Sequence, residues 1–115
     1  MKPGRYNYRI VQGDTFQNTP VWKINSSPVN VTGYTSKLQV KISVDSTGNI
    51  LELSTENGRI TVGGYDGKFT FYVSPTDTAA LTPGNYVYDW QVTAPDTTQT
   101  TLMAGAFVIT PQVTA

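Results

Sequence analysis

Apolar and polar residues alternate along much of this chain, which is the pattern of a β-strand with one buried face. The clearest run is YTSKLQVKISV, residues 34–44. Its predicted core side comprises Ser36, Leu38, Val40, Ile42 and Val44. Its predicted solvent side comprises Thr35, Lys37, Gln39, Lys41 and Ser43. One buried and one wet face favour an antiparallel sheet over a parallel one.

Shorter segments repeat this alternation between turn residues, and together they predict about eight strands. Pro20 interrupts the second segment, so we expect an edge, a bulge or a break there. Asn57 and Gly58 tolerate positive φ at the centre of a turn, which favours two short strands around them. The last strand lies in TLMAGAFVI, residues 101–109, and the pattern does not decide which of its two faces is buried. The two competing sets are Leu102, Ala104 and Val108 against Met103, Phe107 and Ile109.

The segment SPTDTAALTPGNYVYDWQV, residues 74–92, predicts a helical turn followed by a strand with a row of rings. Ser74 is a good N-cap, Pro75 fits the first helical position and Asp77 favours the first turn. In immunoglobulin-like sandwiches, a tyrosine near the start of the penultimate strand bonds back to the upstream backbone, forming a tyrosine corner. Tyr86 follows a Pro-Gly pair in a similar pattern. The row of aromatic residues is therefore interpreted as part of the core packed between the two sheets, not as a platform for a ligand.

The predicted fold is an all-β, immunoglobulin-like antiparallel sandwich of about eight strands, with one short helical turn before the penultimate strand. A chain of 115 residues can bury a core without disulfides or metal, so we expect one domain, 1–115. Its core spans about residues 5–110, with short arms at both ends. The predicted core residues are Tyr86, Tyr88, Trp90, Leu38, Val40, Ile42, Phe69, Phe71 and Trp22.

Composition excludes several classes of function. The chain has no Cys and no His, which removes thiolate chemistry, the commonest general base and the commonest transition-metal ligands. Eight basic and eight acidic residues cancel, so there is no electrostatic footprint for nucleic acid or an anionic membrane. No apolar run approaches a membrane span, and the N-terminus lacks the apolar region of a secretory signal.

The acidic residues do not predict a catalytic, cofactor or metal site. Most lie beside Gly, Asn, Ser or Thr in turns, where acidic residues are usual. Asp89 lies in a strand and should point away from the rings, toward solvent or a partner. Asp45, Asn49 and Glu52 lack the Asp-x-Asp-x-Asp-Gly run of a calcium loop, so this segment is interpreted as a turn. We expect no enzyme activity and no cofactor.

Several surface residues are candidates for contact with partners. The N-terminal and C-terminal segments could pair with the edge strand of a neighbour. Tyr65 and Tyr72 could stack on sugar rings, so a carbohydrate- or cell-surface-binding module is the alternative function, and a hydrolase accessory domain is a third. The candidate interface residues are Arg5, Arg9, Lys37, Lys41, Tyr65 and Tyr72.

Five ordered pieces resemble a phage family: VQGDTF, PVNVTGYTSKLQVK, LSTENGRITV, SPTDTAALTPGNYVYDWQV and AGAFVI. The set is similar to small β-sandwich virion proteins of tailed phages, and to the N-terminal attachment domain of phage baseplate upper proteins. The resemblance covers roughly residues 9–109. It implies a non-enzymatic virion protein, made in the host cytoplasm, that docks into a homo-oligomer or a symmetric hetero-assembly. Tail or baseplate adaptor, connector and capsid decoration protein all stay open, because no fibre or receptor-binding region follows the domain.

Overall fold

The computed structural model describes residues 4–43 and 48–113, and within them it contains eleven strands and one short helix. The strands are β1 (Gly4–Arg5), β2 (Tyr8–Val11), β3 (Phe16–Asn18), β4 (Lys23–Ile24), β5 (Ser27–Pro28), β6 (Thr35–Lys41), β7 (Leu51–Ser54), β8 (Ile60–Val62), β9 (Phe69–Val73), β10 (Gly84–Thr93) and β11 (Gln99–Thr110). The helix, α1, spans Pro75–Ala79 between β9 and β10.

Two sheets pack face to face. The larger sheet has the order β1-β11-β10-β6-β7, with β2 also paired to β11, and the smaller sheet has the order β3-β9-β8. Strands β4 and β5 form a separate hairpin. The same strand neighbours define the two sheets of an immunoglobulin domain, and the helical turn precedes the penultimate strand. The predicted all-β, immunoglobulin-like antiparallel sandwich is therefore confirmed. The described residues form eleven strands where about eight were predicted, because the two-residue strands β1, β4 and β5 add to the count.

The first two strands form one interrupted edge of the larger sheet. Both run parallel to β11 in a common register, in which Gly4 pairs with Met103 and Tyr8 with Phe107. The interruption lies over Gly105, where an added Cβ would collide with the carbonyl oxygen of Tyr6. Gly105 is therefore needed for this close backbone approach, because any larger residue would push the N-terminal segment off the sheet.

Rings from both sheets fill the core. Trp90 of the larger sheet contacts Phe69 and Phe71 of the smaller one, edge-on, with ring centroids 5.1 Å apart in both pairs. The indole N–H of Trp90 donates to Ser36 Oγ at 2.7 Å. A buried indole N–H needs such a partner, since an unmade bond there would cost more than a made bond gains.

Eight of the nine predicted core residues lie in or against this core. Tyr86 and Trp22 are partly buried and pack against it. The fully packed members are Leu38, Val40, Phe69, Phe71, Tyr88 and Trp90.

The prediction for Ile42 is wrong. Its side chain is 68% exposed, because β6 ends at Lys41 and the alternation no longer places Ile42 against the other sheet. The pairing of the sheet also ends here, where the N–H of Ile50 donates to the carbonyl of Val40. Val44 lies outside the described residues.

The segment around Asn57 and Gly58 forms two strands, but they do not pair with each other. β7 belongs to the larger sheet and β8 to the smaller one, so this turn is a corner between sheets. Asn57 makes the corner because its Oδ1 accepts from the N–H groups of Ser54 and Arg59. Gly58 has a φ of 80°, a conformation that suits glycine.

A β-bulge explains why the facing of the last strand could not be derived from its pattern. The β10–β11 register shifts between Trp90 and Gln91, so Trp90 pairs with Met103 and Gln91 with Thr101. Leu102 is the extra residue and is buried, while Met103 packs against the core one position later. Both competing sets are thus partly right, since the alternation changes phase at the bulge.

The predicted helix cap and tyrosine corner are both present. Ser74 Oγ accepts from the N–H of Asp77, and Pro75 opens the helix. Tyr86 Oη donates to the carbonyl oxygen of Thr82 at 2.8 Å, which fixes the approach to β10.

Replacing Tyr86 with Phe should lower the free energy of unfolding by about 1 kcal/mol, because the corner hydrogen bond is lost while the ring stays. Chemical denaturation measures the change. Tyr72→Phe is the matched control, because Tyr72 is exposed and its hydroxyl has no hydrogen bond among the described residues. Equal effects of the two substitutions would contradict a structural role for the corner.

Ser36→Ala should destabilise the protein by about 1–3 kcal/mol, since the buried indole N–H of Trp90 loses its acceptor. Ser27→Ala, on the exposed β5, should change the free energy of unfolding by less than about 0.5 kcal/mol. Near-UV circular dichroism would report whether the tryptophan environment changes. An unchanged unfolding midpoint for Ser36→Ala would show that the indole finds another partner.

Candidate functional site: an open seam between the sheets

On one lateral side of the sandwich, the chain crosses between the sheets at the corner that joins the edge strands β7 and β8. At the β7–β8 corner, Asn57 Nδ2 and Arg59 Nη1 both donate to the carbonyl oxygen of Glu52. Arg59 Nη2 also forms an ion pair with Asp77 Oδ2 at 3.0 Å, which ties the corner to α1. The hydrogen bonds to Glu52 and the ion pair with α1 therefore hold this corner in place.

The opposite side, between β2 and β3, is open. A groove of about 350 Å³ runs between residues 6–11 and residues 14–18. Tyr8 Oη crosses it and donates to Asn18 Oδ1 at 2.8 Å. We call this side, from Gly4 to Lys23, the lateral seam.

The seam continues into a second, more apolar hollow. This hollow of about 340 Å³ lies between Gly4 and residues 20–23, and its floor reaches Trp90, Leu102 and Met103. Val21 and Ile24, beside it, are 42% and 45% exposed. The adjoining β4–β5 hairpin turns through Asn25 and Ser26, both with positive φ, which is uncommon outside glycine.

Backbone groups on both walls of the seam lack strand partners. The N–H of Phe69 donates to the carbonyl of Pro20, so Pro20 and, by alternation, Asn18 point toward β9. The N–H and C=O groups of Gln17 and Thr19 therefore point into the seam. On the other wall, the N–H of Gln12 bonds to β11, so the backbone of Arg9 faces away from β11.

The seam carries excess positive charge. Arg5 and Arg9 lie exposed on the β1–β2 wall and Lys23 lines the second hollow, whereas Asp14 is the acidic residue of the groove. Among the described residues, none of these three cations has an ion-pair partner. The chain as a whole is neutral, so this concentration is local.

Two buried tyrosines brace the wall formed by β2. Tyr88 Oη donates to the carbonyl oxygen of Tyr6 at 2.6 Å, below the seam. Burial raises the pKa of both Tyr8 and Tyr88 above 10, and their mutual proximity raises that of Tyr8 further. Both hydroxyls therefore stay protonated near neutral pH and act as hydrogen-bond donors.

Of the candidate interface residues, only Arg5 and Arg9 lie at the seam. Lys37 and Lys41 lie on the outer face of the larger sheet, next to β10. Tyr65 is 82% exposed in the β8–β9 turn, and Tyr72 is 44% exposed at the other end of that hairpin. The two tyrosines are thus held apart instead of forming one stacking platform.

Sequence reasoning did not find the seam. Pro20 signalled a break and an edge, and both occur, since β3 is an edge strand that ends at Asn18. The pairing of both β1 and β2 with β11 gave no signal in the pattern, because alternation shows which face is buried but not which strand is adjacent.

Several acidic side chains outside the seam stabilise turns of the fold. In the described ranges, no three of them converge into a group that could hold a metal ion. Backbone N–H groups of Gly64 and Lys68 lower the pKa of Asp66, and that of Thr98 lowers the pKa of Asp96. Asp89 faces outward from β10 beside Gln39, as predicted.

No protein-family model and no curated protein sequence matches this chain. Among solved structures, murine CRIg is similar at 11% identity and a TM-score of 0.43, over 92% of both chains. The extracellular domain of the voltage-gated sodium channel β4 subunit is similar at 9% identity and a TM-score of 0.47, over 98% of this chain and 97% of that one. Both likenesses are distant, and they say nothing about the function of this chain. In the described part of the chain, no helix is long and apolar enough to traverse a membrane.

Stability should decline as the pH rises above about 10. The folded-state pKa of Tyr8 and Tyr88 is raised above the ordinary value of 10.0, so their contribution is present below pH 10 and is lost as pH climbs toward the folded pKa. Urea unfolding at a series of pH values measures this. The decline should be shallower in Tyr8→Phe than in Tyr72→Phe. Identical pH profiles for the two variants would contradict the role of burial.

Proposed function

We propose that this chain is a non-enzymatic structural protein of a phage virion. It docks into a symmetric assembly, as a tail or baseplate adaptor, a connector or a capsid decoration protein, through sheet edges, loops and terminal segments. The ordered resemblance across residues 9–109 supports the virion setting. The observation that carries the docking function is the uncovered edge of β3, whose backbone groups at Gln17 and Thr19 face the seam.

An uncovered edge favours docking because exposed N–H and C=O groups form a template for another strand. Soluble sandwiches usually cover or blunt such edges. On the opposite side, the chain itself crosses between the sheets, and Asn57 and Arg59 hold that corner with hydrogen bonds to Glu52. The apolar hollow beside Trp22 adds surface that gains from being covered.

A non-enzymatic function is favoured by the distribution of polar groups. In the described ranges, acidic side chains lie in turns, in the β7–β8 corner, in α1 or on outer faces, and each deep ring hydroxyl is bonded to a structural partner. A catalytic centre needs a base held beside a nucleophile or a second acid. Multivalent attachment needs neither, since symmetry multiplies a modest contact.

Mass spectrometry of purified particles tests the virion setting. Particles from cultures that produce the chain, banded in a density gradient and washed at high salt, should retain it at a fixed ratio to the major capsid protein. An abundant cytosolic protein of the producing cell serves as the contamination control. Recovery of the chain only in the soluble fraction, with particles free of it, would contradict the proposal.

A glycan array separates the alternative, a carbohydrate- or surface-binding module. The high exposure of Tyr65 is the observation that favours this function. Under the virion proposal, the isolated chain should not bind glycans. Glycan binding that is abolished by Tyr65→Ala or Tyr72→Ala but retained in Tyr34→Phe would contradict the virion proposal and support a carbohydrate- or surface-binding module.

A further inference from the structure

We propose that the lateral seam binds an extended, acidic segment of a different protein, which adds a strand to the free edge of β3. This inference rests on the proposed docking function and names the site and the chemistry of its partner. The occupant is specified by three features of the seam: its unpaired backbone groups, its shape and its charge.

Backbone pairing sets the extended conformation of the occupant. Gln17 and Thr19 present N–H and C=O groups two residues apart, at the spacing of one edge of an antiparallel or parallel ladder. The matching groups of Arg9 face the same seam from the other wall. A strand lying here would pair as the missing fourth strand of the smaller sheet, and its affinity would come from main-chain hydrogen bonds.

The length and the lining of the seam set the side-chain pattern of the occupant. The wall formed by β3 and its continuation runs from Phe16 to Trp22, so a segment of roughly seven extended residues would span it. Side chains on one face of that segment would cover the groove beside Tyr8 and the hollow beside Trp22. An alternation of apolar with polar residues fits this arrangement.

Charge decides between a second copy and another protein. Arg9 and Lys23 line the two hollows and Arg5 is exposed on β1, against the single acidic Asp14 of the groove, so acidic side chains on the outward face of the segment would be attracted. The N-terminal segment of a second copy, MKPGRYNYR, carries Lys2, Arg5 and Arg9 and would be repelled. The segment that follows β11, PQVTA, carries no acidic residue. Neither segment of this chain complements the seam.

Peptide binding to the isolated, full-length chain tests the proposal. The probe is a fluorescein-labelled peptide of alternating valine and glutamate, eight residues long, followed by fluorescence anisotropy. Two control peptides carry lysine in place of glutamate, or N-methyl groups on alternate backbone amides. We expect binding of the acidic peptide alone, weakening with added salt. No binding of it at about 1 mM, or equal binding of the lysine peptide, would overturn the proposal.

Variants locate the site. Arg5→Glu combined with Arg9→Glu should weaken binding about tenfold, because two favourable charge interactions become repulsive. Lys37→Glu combined with Lys41→Glu is the matched control, since it makes the same change of net charge on the outer face of the larger sheet. An equal loss in both double variants would show only nonspecific electrostatics and would overturn the assignment to the seam.

Gln17→Pro tests strand addition directly. Proline removes the N–H that points into the seam, while the β3–β9 bonds of Phe16 and Asn18 are kept. Binding should be lost although the thermal unfolding temperature stays close to that of the wild type. In the unmodified chain, amide exchange at Gln17 and Thr19 should slow when the peptide binds, a readout that needs no variant. Unchanged exchange at both amides would contradict strand addition.

Analytical sedimentation of the chain alone tests whether a second copy of this chain, instead of an acidic partner, occupies the seam. Concentration-dependent dimers that Gln17→Pro abolishes would assign the seam to a second copy and overturn the acidic partner. A chain that stays monomeric and binds the acidic peptide supports the acidic partner. If the peptide does not bind, the proposal that the chain is part of a virion still stands, because particle incorporation is measured separately. If the chain is absent from particles, a measured peptide site still stands. The two proposals can therefore fail independently.

Discussion

The packing of Trp90 between the sheets is the interaction on which the rest of the fold depends. Its ring meets Phe69 and Phe71 edge-on from the opposite sheet, and Ser36 satisfies its buried N–H. Antibody domains add a disulfide at this depth, but this chain has no cysteine, so noncovalent packing of rings and aliphatic side chains must hold the sheets together. Buried aromatic area is well suited to this, since each ring removes a large apolar surface from water.

Once that centre is fixed, the two lateral sides of the sandwich are free to differ. On one side the chain itself crosses between sheets, at Asn57, and holds that corner with its own hydrogen bonds. On the other side both N-terminal strands pair with β11, which leaves β3 with a single neighbour. The asymmetry follows from where the N-terminal segment pairs, and Gly105 permits that pairing by allowing the close approach of Tyr6.

Much of the fold could be predicted from the sequence because buried positions repeat every second residue. Leu38, Val40 and Trp90 belong to long alternating runs, and their burial follows from the period alone. Ile42 continues the same run but lies beyond the last paired residue, and where pairing stops depends on the neighbouring strand. Leu102 is buried only because a bulge shifts the register. The local sequence pattern shows neither where the pairing of a strand ends nor where a bulge shifts its register.

The candidate site was less accessible to prediction for the same physical reason. Arg5 and Arg9 were expected at an interface, and they lie on one wall of the seam. The opposite wall, at Gln17 and Thr19, matters through backbone groups that every residue has. Their availability is a property of sheet order, which is determined by contacts between residues far apart along the chain.

The parallel pairing of β1 and β2 with β11 also has a mechanical consequence. Gly4 lies beside Met103 and Val11 beside Thr110, so the first and last described strands leave the ladder at opposite ends. Tension applied between them would load these hydrogen bonds in shear, side by side, so that they must rupture together. A hairpin pulled open from its ends breaks one bond at a time. Under such tension, this pairing would therefore resist separation more strongly than a hairpin pulled from its ends.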